Sequence, residues 1–551
     1  MSDYDVCVIG LGPTGLTLAH LLAERGVTVL VLEREPEFYG MARAVYTDDE
    51  CLRILQTAGV ADEVHADMTV DLPVQWVKPD GSVLAQFRTC ARPHGWPVSN
   101  FLYQPDFETT LERRLASRPE VTLRRGRAVV RFEQDADGVN VMHQACRGTG
   151  YGAHEPDLEP GTEQIDRVQY LVAADGGRSA TRIALGIEMA GKSLPQRWLV
   201  IDLKAQPGTD PFGHLPYFDF VCDPQLPTVS CPQPDGRHRF EFMLSDSDSS
   251  EQFELRETAE RLLSRYVDVS AVTIERQLVY SFNALVAQRW RDGRVFLAGD
   301  AAHMTPQFIG QGMNAGIRDA DNLSWKLADV ILHGADPAIL DSYQSERRPH
   351  ASAMIRVSVL NKDIVSTESP WAVRTRDLVI GVSRRLPVLR TALTEAKIKP
   401  RPRLRHGQYV GLPRRLRGLR GVEGTLMPQP PVRTRAGRPV RLDDVLGSGW
   451  AVIGIGVDPR TTGDWSGLSP RWVTLFEPGA RPQGLRGSTA DPDVQDVEAI
   501  DDQWSRWLRK AGARTGSVIV VRPDRFVFSV TRPSEHWRAQ QALAQRSGVP
   551  A

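Results

Sequence analysis

The stretch GLGPTG, residues 10–15, has the spacing G-x-G-x-x-G and decides how the fold begins. It follows the apolar run VCVI (6–9), which is typical of a buried strand. It opens the segment PTGLTLAHLLAERG (13–26), whose apolar residues recur at helical spacing. A second apolar run, TVLVLE (28–33), ends at Glu33. The order of strand, glycine turn, helix and strand predicts a Rossmann-like βαβ unit.

The glycine spacing predicts a phosphate-binding turn for a dinucleotide. In such a turn the first glycine permits the tight bend, the second lets the backbone approach a pyrophosphate, and the third lets the helix pack closely on the strand. The helix N-terminus then faces the phosphates, and the acidic residue that ends the second strand accepts hydrogen bonds from ribose hydroxyls. The turn alone does not separate NAD from FAD. The predicted contacts are Gly10, Gly12, Pro13, Thr14, Gly15, Glu33 and Arg34.

Composition and charge limit the classes of protein that the 551 residues can form. The length has room for roughly three or four domains. Lys and Arg number 67 and Asp and Glu 68, a balance that argues against nucleic-acid and anionic-membrane partners. The apolar runs are short and the N-terminus lacks a basic signal region, so we expect a soluble cytoplasmic protein. The six cysteines contain no CxxC pair, which argues against a disulfide framework or a metal site.

A mainly antiparallel β-sheet domain is predicted for residues 71–99 and 186–279. Short alternating runs in these segments, such as QWVKPDGSVLAQF (75–87) and RFEFMLS (239–245), are broken by Pro and Gly. The sheet domain interrupts a discontinuous nucleotide-binding domain. The segments predicted for that α/β domain are residues 1–70, 100–185 and 280–395.

The last third of the chain is predicted to form a separate C-terminal domain, residues 400–551. Residues 395–440 are rich in Arg, Pro and Gly, as in KIKPRPRLRHG (397–407) and RRLRGLRG (414–421). Such a composition predicts an extended crossing into that domain. The strands predicted within it are WAVIGIG (450–456), SVIVVRPD (517–524) and FVFSV (526–530).

The segment RVFLAGDAAHMTP (294–306) supplies the second half of the nucleotide site. It predicts a strand whose mouth carries Asp300, and that carboxylate can hydrogen-bond a second polyol. A long helix predicted from about Gly312 points its N-terminal amides back toward the same place. A simple nicotinamide dehydrogenase completes its cofactor site within one compact domain, whereas here the two halves lie on either side of the inserted sheet. We therefore predict FAD as a resident cofactor.

Three ordered motifs resemble those of the single-component, FAD-dependent aromatic hydroxylases related to p-hydroxybenzoate hydroxylase and phenol hydroxylase. They are GLGPTG (10–15), VAADGGRSATR (172–182) and LAGDAAHMTPQFIGQGMNAGIRDADNLSWKLA (297–328). Within that family the chain is most similar to hydroxylases of 3-(3-hydroxyphenyl)propionate, for example in RFEFML (239–244). The resemblance spans nearly the whole chain and implies a thioredoxin-like C-terminal domain. That domain contains no cysteine, so it is not expected to perform dithiol chemistry.

The resemblance also implies roles for individual residues. It places Asp175 and Gly176 at both FAD and the nicotinamide donor, and it places Arg43 and Gln104 at the flavin. His303 and Pro306 are the catalytic candidates, the first for proton transfer and the second as a backbone wall beside the flavin ring. Backbone amides of the following turn are expected near the flavin pyrimidine. The flavin contacts implied in this region are Gly299, Asp300, Pro306, Gly310, Gly312, Met313 and Asn314.

The implied reaction is the ortho-hydroxylation of a phenol. NADH or NADPH reduces FAD, O2 adds to form a flavin C4a-hydroperoxide, and the electron-rich ring attacks the distal oxygen. The flavin carries the chemistry, while the protein supplies orientation and a dry pocket. The expected partners are a small phenolic substrate, O2 and NAD(P)H, together with a second copy of the chain in a homodimer.

The exact substrate stays open at this point. The preferred candidates are 3-(3-hydroxyphenyl)propionate and 3-hydroxycinnamate in aromatic catabolism. The alternatives are a hydroxylase of polycyclic or polyketide phenols or of resorcinol-type compounds, and a non-enzymatic FAD-binding protein. The side chains weighed as substrate contacts, none of them strongly favoured, are Arg197, His214, Tyr217, His238 and Arg289.

Overall fold

The structure is a computed structural model that describes residues 3–38, 40, 42–148, 155–245, 253, 255–385, 399–410, 421–481 and 494–546. Its strands form four sheets. Two of these sheets have eight strands, one has seven and one has three. Among the described residues, none of the helices is both long enough and apolar enough to cross a membrane.

The first sheet is built around the predicted βαβ unit, and the strand, helix and strand of that unit are confirmed. Tyr4–Ile9 lies parallel between Val29–Glu33 and Gln164–Ala173, and the helix Pro13–Glu24 connects the first two strands. The long strand Gln164–Ala173 continues into an antiparallel extension made by Val139–Ala145 and Arg127–Gln134. The main path of this sheet runs Arg291–Asp292, Val295–Leu297, Gln164–Ala173, Tyr4–Ile9, Val29–Glu33 and Val121–Arg125.

Glycine is required where this sheet meets the first helix. Gly10 has φ +99°, and a Cβ atom there would lie 2.5 Å from the carbonyl oxygen of Ala174. A Cβ atom on Gly15 would lie 2.0 Å from the carbonyl oxygen of Gly10. Both positions therefore exclude any side chain, and the helix packs directly onto the turn.

Several helices surround the first sheet and contribute buried apolar residues to its core. The predicted long helix after the second glycine-rich motif is confirmed as Gly312–His333, and it packs against Pro13–Glu24. The other helices that belong to this part of the chain are Asp49–Thr57, Ala61–Ala66, Gln104–Leu115, Ala180–Ala184 and Ser342–Val365. The helix Pro370–Arg385 lies against the strand Val83–Phe87 of the second sheet. A three-stranded sheet of Tyr46–Thr47, Asn100–Phe101 and Thr69–Val70 covers one end.

The second sheet is antiparallel except for one parallel pair, Phe218–Val221 beside Val74–Val77. One face packs against the helix Arg256–Leu263 through an apolar cluster that includes Phe240 and Phe242. The other face is turned toward the first sheet. The spatial order of the strands is His303–Met304, Val272–Ala287, Met189–Ala205, Arg237–Met243, Thr228–Gln233, Phe218–Val221, Val74–Val77 and Val83–Phe87.

The third sheet contains the strands predicted at WAVIGIG, SVIVVRPD and FVFSV, here Ala451–Ile455, Val518–Val521 and Val527–Thr531. The strand Pro431–Thr434 and the first two residues of Pro439–Arg441 lie in the segment 395–440, for which the composition predicts an extended crossing. Residues 395–398 and 411–420 of that segment are outside the described residues. The order is Pro439–Arg441, Pro431–Thr434, Val494–Ala499, Arg471–Phe476, Ala451–Ile455, Val518–Val521 and Val527–Thr531. The helices of this part are Leu442–Leu446, Asp502–Ala511 and His536–Arg546.

Seven single turns of three-ten helix complete the secondary structure of the described residues, and two of them shape the site discussed below. These turns are Val269–Ala271, Gly299–Ala301, Gln307–Ile309, Pro337–Asp341, Pro459–Thr462, Ser466–Leu468 and Pro533–Glu535.

Candidate active site

The three sequence motifs meet at one edge of the first sheet. The strands Tyr4–Ile9, Gln164–Ala173 and Val295–Leu297 are parallel neighbours, so the turns after them lie side by side. Those turns carry the first glycine motif, Asp175 and Asp300. The carboxyl ends of parallel strands are where open α/β sheets bind their ligands.

Thr14 is the point at which the motifs contact one another. Its Oγ1 would lie 2.6 Å from a Cβ atom on Gly299 and 2.1 Å from a Cβ atom on Gly316. Both positions therefore need glycine while Thr14 is present. The glycine turn at residues 10–15, the turn Gly299–Ala301 and the helix Gly312–His333 are therefore packed together without space for another methyl group.

Two helices begin at this edge with no side-chain cap. The N-cap residues Gly12 and Gln311 provide no hydrogen bond to the first turns of Pro13–Glu24 and Gly312–His333. Nothing lies within 4 Å of a Cβ atom built on Gly12, so the backbone there faces open space. Uncapped amides and the positive end of the helix dipole favour an anionic group such as a pyrophosphate.

Glu33 is held at the first turn by backbone donors. Its Oε2 accepts a hydrogen bond from the Leu11 amide at 2.8 Å, and its Oε1 accepts one from the Glu35 amide at 2.9 Å. Each carboxylate oxygen has a second lone pair that can accept from a ribose hydroxyl. The neighbouring Arg34 pairs with Glu35 at 3.4 Å.

Asp300 and Asp175 both present carboxylate oxygens that lack a protein donor. Within the described residues the Asp300 carboxylate has no hydrogen-bond donor, and it is accessible to the open cleft in front of it. Desolvation by the surrounding protein raises its pKa, although His303 and Arg43 oppose the shift. One oxygen of Asp175 accepts from Thr181 at 3.2 and 3.0 Å, whereas its Oδ1 is buried without a partner.

Burial also raises the pKa of Asp175, despite the opposing hydrogen bonds from Ser179 and Thr181. Gly176 follows it at φ +81° with nothing within 4 Å of an added Cβ atom. Buried oxygens without partners are rare in folded proteins and point to a ligand that supplies the donors. The hydroxyls of a ribityl chain and a ribose are such donors, so the residues at this edge fit FAD.

The loop at residues 42–44 borders the cleft and is held from two sides. Gln104 Oε1 accepts from the amides of Arg43 and Ala44 at 2.7 and 2.5 Å, and its Nε2 donates to Glu108 at 2.5 Å. The Gln104 amide is thus engaged within the protein, and it positions the loop. The Arg43 side chain is exposed on the cleft side.

The carbonyl groups of the same loop are held by the second sheet. Arg239 donates to the carbonyl oxygens of Ala42 and Arg43 at 2.6 and 2.7 Å, and Arg276 also donates to Ala42. Arg239 is fixed in turn by a two-point contact with Asp202 at 2.6 and 2.9 Å. The second sheet therefore fixes the position of the loop at residues 42–44 beside the cleft.

His303, the sequence candidate for proton transfer, is completely buried. Its Nε2 lies 2.6 Å from Asp319 Oδ2, which also accepts from the Gly299 amide at 3.1 Å. Arg347 completes the cluster by donating to Asp319 Oδ1 at 2.8 Å. This environment favours a role in holding the Gly299 turn over direct contact with a substrate.

The loop from Pro306 to Gly310 is fastened at several points. The carbonyl oxygens of Pro306 and Phe308 accept from Ser358 and Asn361, each at 2.6 Å. Gly310 takes φ +60° and begins the approach to the long helix. A rigid, buried Pro306 backbone at this place suits a wall beside a planar ring.

The start of the long helix is fixed by Asn314. This side chain is fully buried, accepts from Thr47 Oγ1 at 2.8 Å and donates to the Gly310 carbonyl oxygen at 2.6 Å. Gly312 and Met313, which precede it, are half-buried. Their backbone amides belong to the uncapped first turn described above, so they face the same edge as Asp300.

An aromatic wall covers this loop from the second sheet. Trp198 and Phe282 lie edge-on to Phe308, with ring centroids 5.1 and 5.2 Å apart. Phe220 and Met243 extend the same buried cluster. A cluster of this kind offers an apolar, dry surface to an aromatic ligand.

The side chains weighed from sequence as substrate contacts lie away from the aromatic wall or are engaged within the protein. His238 is buried on the opposite face, where its Nε2 is 2.8 Å from Ser230 Oγ, and burial lowers its pKa to about 3. His214 contacts the Tyr266 carbonyl oxygen at 2.8 Å, and Arg289 pairs with Asp292 at 3.0 Å. Arg197 donates to the Ser245 carbonyl oxygen at 3.4 Å, and Tyr217 is 38% exposed.

Sequence reasoning missed Asp319, Tyr280 and Glu241. Tyr280 is 43% exposed, and burial against the cleft raises its pKa with a further contribution from nearby Asp300. Asp319 and Glu241 are buried acids. A buried acid within an otherwise apolar run, as in RFEFML, is the one signal in the sequence that marks Glu241.

Comparison with known proteins agrees with this geometry. A family model described as "FAD binding domain" matches residues 3–358, and one described as "HcaD C-terminal domain" matches residues 424–546. A 3-(3-hydroxy-phenyl)propionate/3-hydroxycinnamic acid hydroxylase of Burkholderia cenocepacia is 35% identical over 96% of this chain and 94% of its own length. The corresponding hydroxylase of Comamonas testosteroni is 34% identical over 97% of this chain and 95% of its own length.

A solved structure of aklavinone-11 hydroxylase with FAD and aklavinone has the same fold, with a TM-score of 0.75, 22% identity and complete coverage of both chains. The resemblance expected from the motifs is thereby confirmed. The chain belongs to the FAD binding domain family, and it is an FAD-dependent monooxygenase of the aromatic hydroxylase type.

Proposed function

We propose that this protein hydroxylates a phenolic ring ortho to its hydroxyl group, with NADH or NADPH as electron donor and O2 as oxygen source. The observation that carries the proposal is the position of the aromatic wall. Trp198 and Phe282 close over the Phe308 loop, which continues directly from the turn that carries Asp300. An aromatic substrate on that wall would lie beside the cofactor edge.

FAD, when bound, would supply the redox chemistry that activates O2 with electrons from the nicotinamide donor. The protein residues bind and orient. Asp300, Asp175 and Glu33 would receive the cofactor hydroxyls. The uncapped start of Pro13–Glu24 would face the phosphates, and that of Gly312–His333 would face the flavin pyrimidine. The buried aromatic wall excludes water, which limits the loss of activated oxygen to side reactions.

The domain limits predicted from sequence belong to this proposal. We propose that residues 71–99 and 186–279 form most of the substrate-covering sheet, with Val272–Ala287 continuing past residue 279. The C-terminal part is proposed to be a thioredoxin-like domain with a structural role. Its central parallel strands and flanking helices support this proposal, as does the lack of cysteine.

The preferred substrates are 3-(3-hydroxyphenyl)propionate and 3-hydroxycinnamate, the compounds named for the curated relatives at 34–35% identity. A second candidate is a fused-ring phenol. It is favoured by the aklavinone complex, which has the same fold over the full length of both chains.

A substrate panel tests the proposal. The holoenzyme is supplied with NADH or NADPH and with 3-(3-hydroxyphenyl)propionate, 3-hydroxycinnamate, resorcinol or a fused-ring phenol, and oxygen uptake and product are measured together. We expect one phenol to give a catechol-type product in proportion to the oxygen consumed. A yellow protein that oxidises no nicotinamide with any phenol would overturn the proposal and favour a non-enzymatic flavoprotein.

A further inference from the structure

Glu241 occupies the centre of the sheet face that is turned toward the cofactor edge. On the strand Arg237–Met243 every second side chain points to the same face, so Arg239, Glu241 and Met243 share it. Arg239 holds the carbonyl groups of the loop at residues 42–44, and Met243 packs in the cluster with Phe308. Glu241 therefore lies between the two loops that border the cleft.

The Glu241 carboxyl has no hydrogen-bond partner among the residues that the structure describes. The nearest cation, Arg239 Nη1, is 4.0 Å from its Oε1. That guanidinium is already occupied by Asp202 and by two backbone carbonyl groups. Only 9% of the Glu241 side chain is accessible. A buried acid without a partner is costly, so its presence calls for a ligand that completes it.

The surroundings of Glu241 also limit what that ligand can be. Val200 and Val229 flank it on the neighbouring strands, and they offer no polar atom from a side chain. Burial raises the pKa of Glu241 to about 7, with Asp202 adding to the shift and Arg239 and Arg276 opposing it. A carboxyl in such a setting accepts a hydrogen bond from a neutral hydroxyl, whereas a second carboxylate would be repelled.

We infer that the Glu241 carboxyl is the hydrogen-bond partner of the phenolic hydroxyl of the substrate. This inference rests on the proposed function and deepens it. The hydroxyl is anchored between the loop at residues 42–44 and the Phe308 loop, and the ring lies against the aromatic wall. Any acidic side chain of the substrate then points away from Glu241. Because a buried polar group rejects a ligand that leaves it unpaired, Glu241 selects phenols over arenes without the hydroxyl.

A binding cycle on the oxidised holoenzyme tests the inference. The dissociation constant is measured by the change in flavin absorbance for the phenol that the substrate panel ranks first and for its counterpart lacking the hydroxyl, for example 3-(3-hydroxyphenyl)propionate and 3-phenylpropionate. Both ligands are titrated into the wild type and into Glu241→Leu, Glu241→Gln and Glu275→Gln. Glu275 lies in the same sheet, two strands away on Val272–Ala287, and pairs with Arg237 at 3.3 Å, so it serves as the matched control.

We expect the wild type and Glu275→Gln to prefer the phenol at least tenfold, which is about 1.4 kcal/mol. Glu241→Leu should reduce that preference to threefold or less, chiefly by raising the dissociation constant of the phenol. Glu241→Gln keeps the shape of the side chain and can still accept a hydrogen bond, so it should retain part of the preference for the phenol. The flavin content of this variant reports whether it is folded. A phenol preference that is unchanged in Glu241→Leu would overturn the inference. If no phenol is turned over in the panel, the proposed function itself has failed.

Discussion

Two acids of the cleft and two acids at the interface with the C-terminal sheet differ in their hydrogen-bond partners. In the cleft, Asp300 and Glu241 have no hydrogen-bond partner among the described residues, and burial raises the pKa of both. At the interface, Glu346 accepts two hydrogen bonds from Arg522 at 2.9 and 2.8 Å and a third from Lys326 at 2.8 Å. Although burial alone would raise it, these two cations hold the pKa of Glu346 below its ordinary value.

A second acid of the interface, Asp443, shows the same contrast. Arg53 makes a two-point contact with Asp443 at 2.6 and 2.8 Å, and it joins the helix Asp49–Thr57 to the C-terminal part. Glu346 and Asp443, which hold parts of the chain together, are thus hydrogen-bonded by protein cations. Acids that face the cleft keep lone pairs free, as expected of groups that receive a ligand.

The largest expected effect comes from removing a cation that hydrogen-bonds to the acids of the interface. Arg522→Ala leaves Glu346 and Asp524 buried with too few donors, so we expect a loss of about 3–5 kcal/mol in the free energy of unfolding. Urea titration followed by circular dichroism measures it. Arg256→Ala, which removes an exposed pair with Glu260, is the control and should cost less than about 0.5 kcal/mol. Equal losses in the two variants would contradict the contrast.

The second prediction concerns the unsaturated acid Glu241 and pH. Its pKa is raised from 4.5 to about 7 in the folded protein, so its contribution to stability is complete below about pH 4.5 and is lost as the pH rises through 7. The difference in unfolding free energy between wild type and Glu241→Gln should therefore fall by roughly 3 kcal/mol from pH 4 to pH 8. Chemical denaturation across that range measures it, and a flat difference would show that Glu241 is not buried unpaired.

The third prediction tests Asp300 as a receiver of cofactor hydroxyls. Asp300→Ala should weaken FAD binding by a factor of roughly 10–100, since hydrogen bonds to a charged group contribute about 1.5–3 kcal/mol. Fluorescence of FAD released on dilution reports the dissociation constant. The control is Asp292→Ala, which removes the half-buried partner of Arg289 and should bind FAD like the wild type. Unchanged FAD affinity in Asp300→Ala would remove this residue from the cofactor site.

The smallest expected effect concerns the contact between Thr14 and Gly316. A methyl group in Gly316→Ala would meet Thr14 Oγ1 at 2.1 Å, so we expect overpacking of about 1–3 kcal/mol and weaker FAD retention. Thr14→Ala in the same chain removes that oxygen and should recover part of the loss. Thermal unfolding of the two single variants and the double variant gives the coupling. Strict additivity would mean that the two motifs do not touch.

Local features of this fold were accessible from the sequence, whereas long-range ones were not. The glycine turn and the helix Gly312–His333 follow from spacing within a few residues, and the structure has both. The strand Arg471–Phe476 was missed, because its first residue is charged and its pairing with the parallel strands on either side is not visible in local spacing. The pairing of His303 with Asp319 depends on how one helix lies against the Gly299 turn. The histidine side chain alone suggested proton transfer for His303, whereas its buried environment favours a role in positioning the Gly299 turn.

The double grip of Arg239 has a mechanical consequence. One guanidinium is bound to Asp202 on the sheet and to the carbonyl groups of Ala42 and Arg43 on the loop. The loop at residues 42–44 therefore cannot move independently of the sheet. A tilt of the second sheet therefore also moves the loop at residues 42–44. The sheet face proposed to contact the substrate ring and the loop beside the proposed cofactor site shift together.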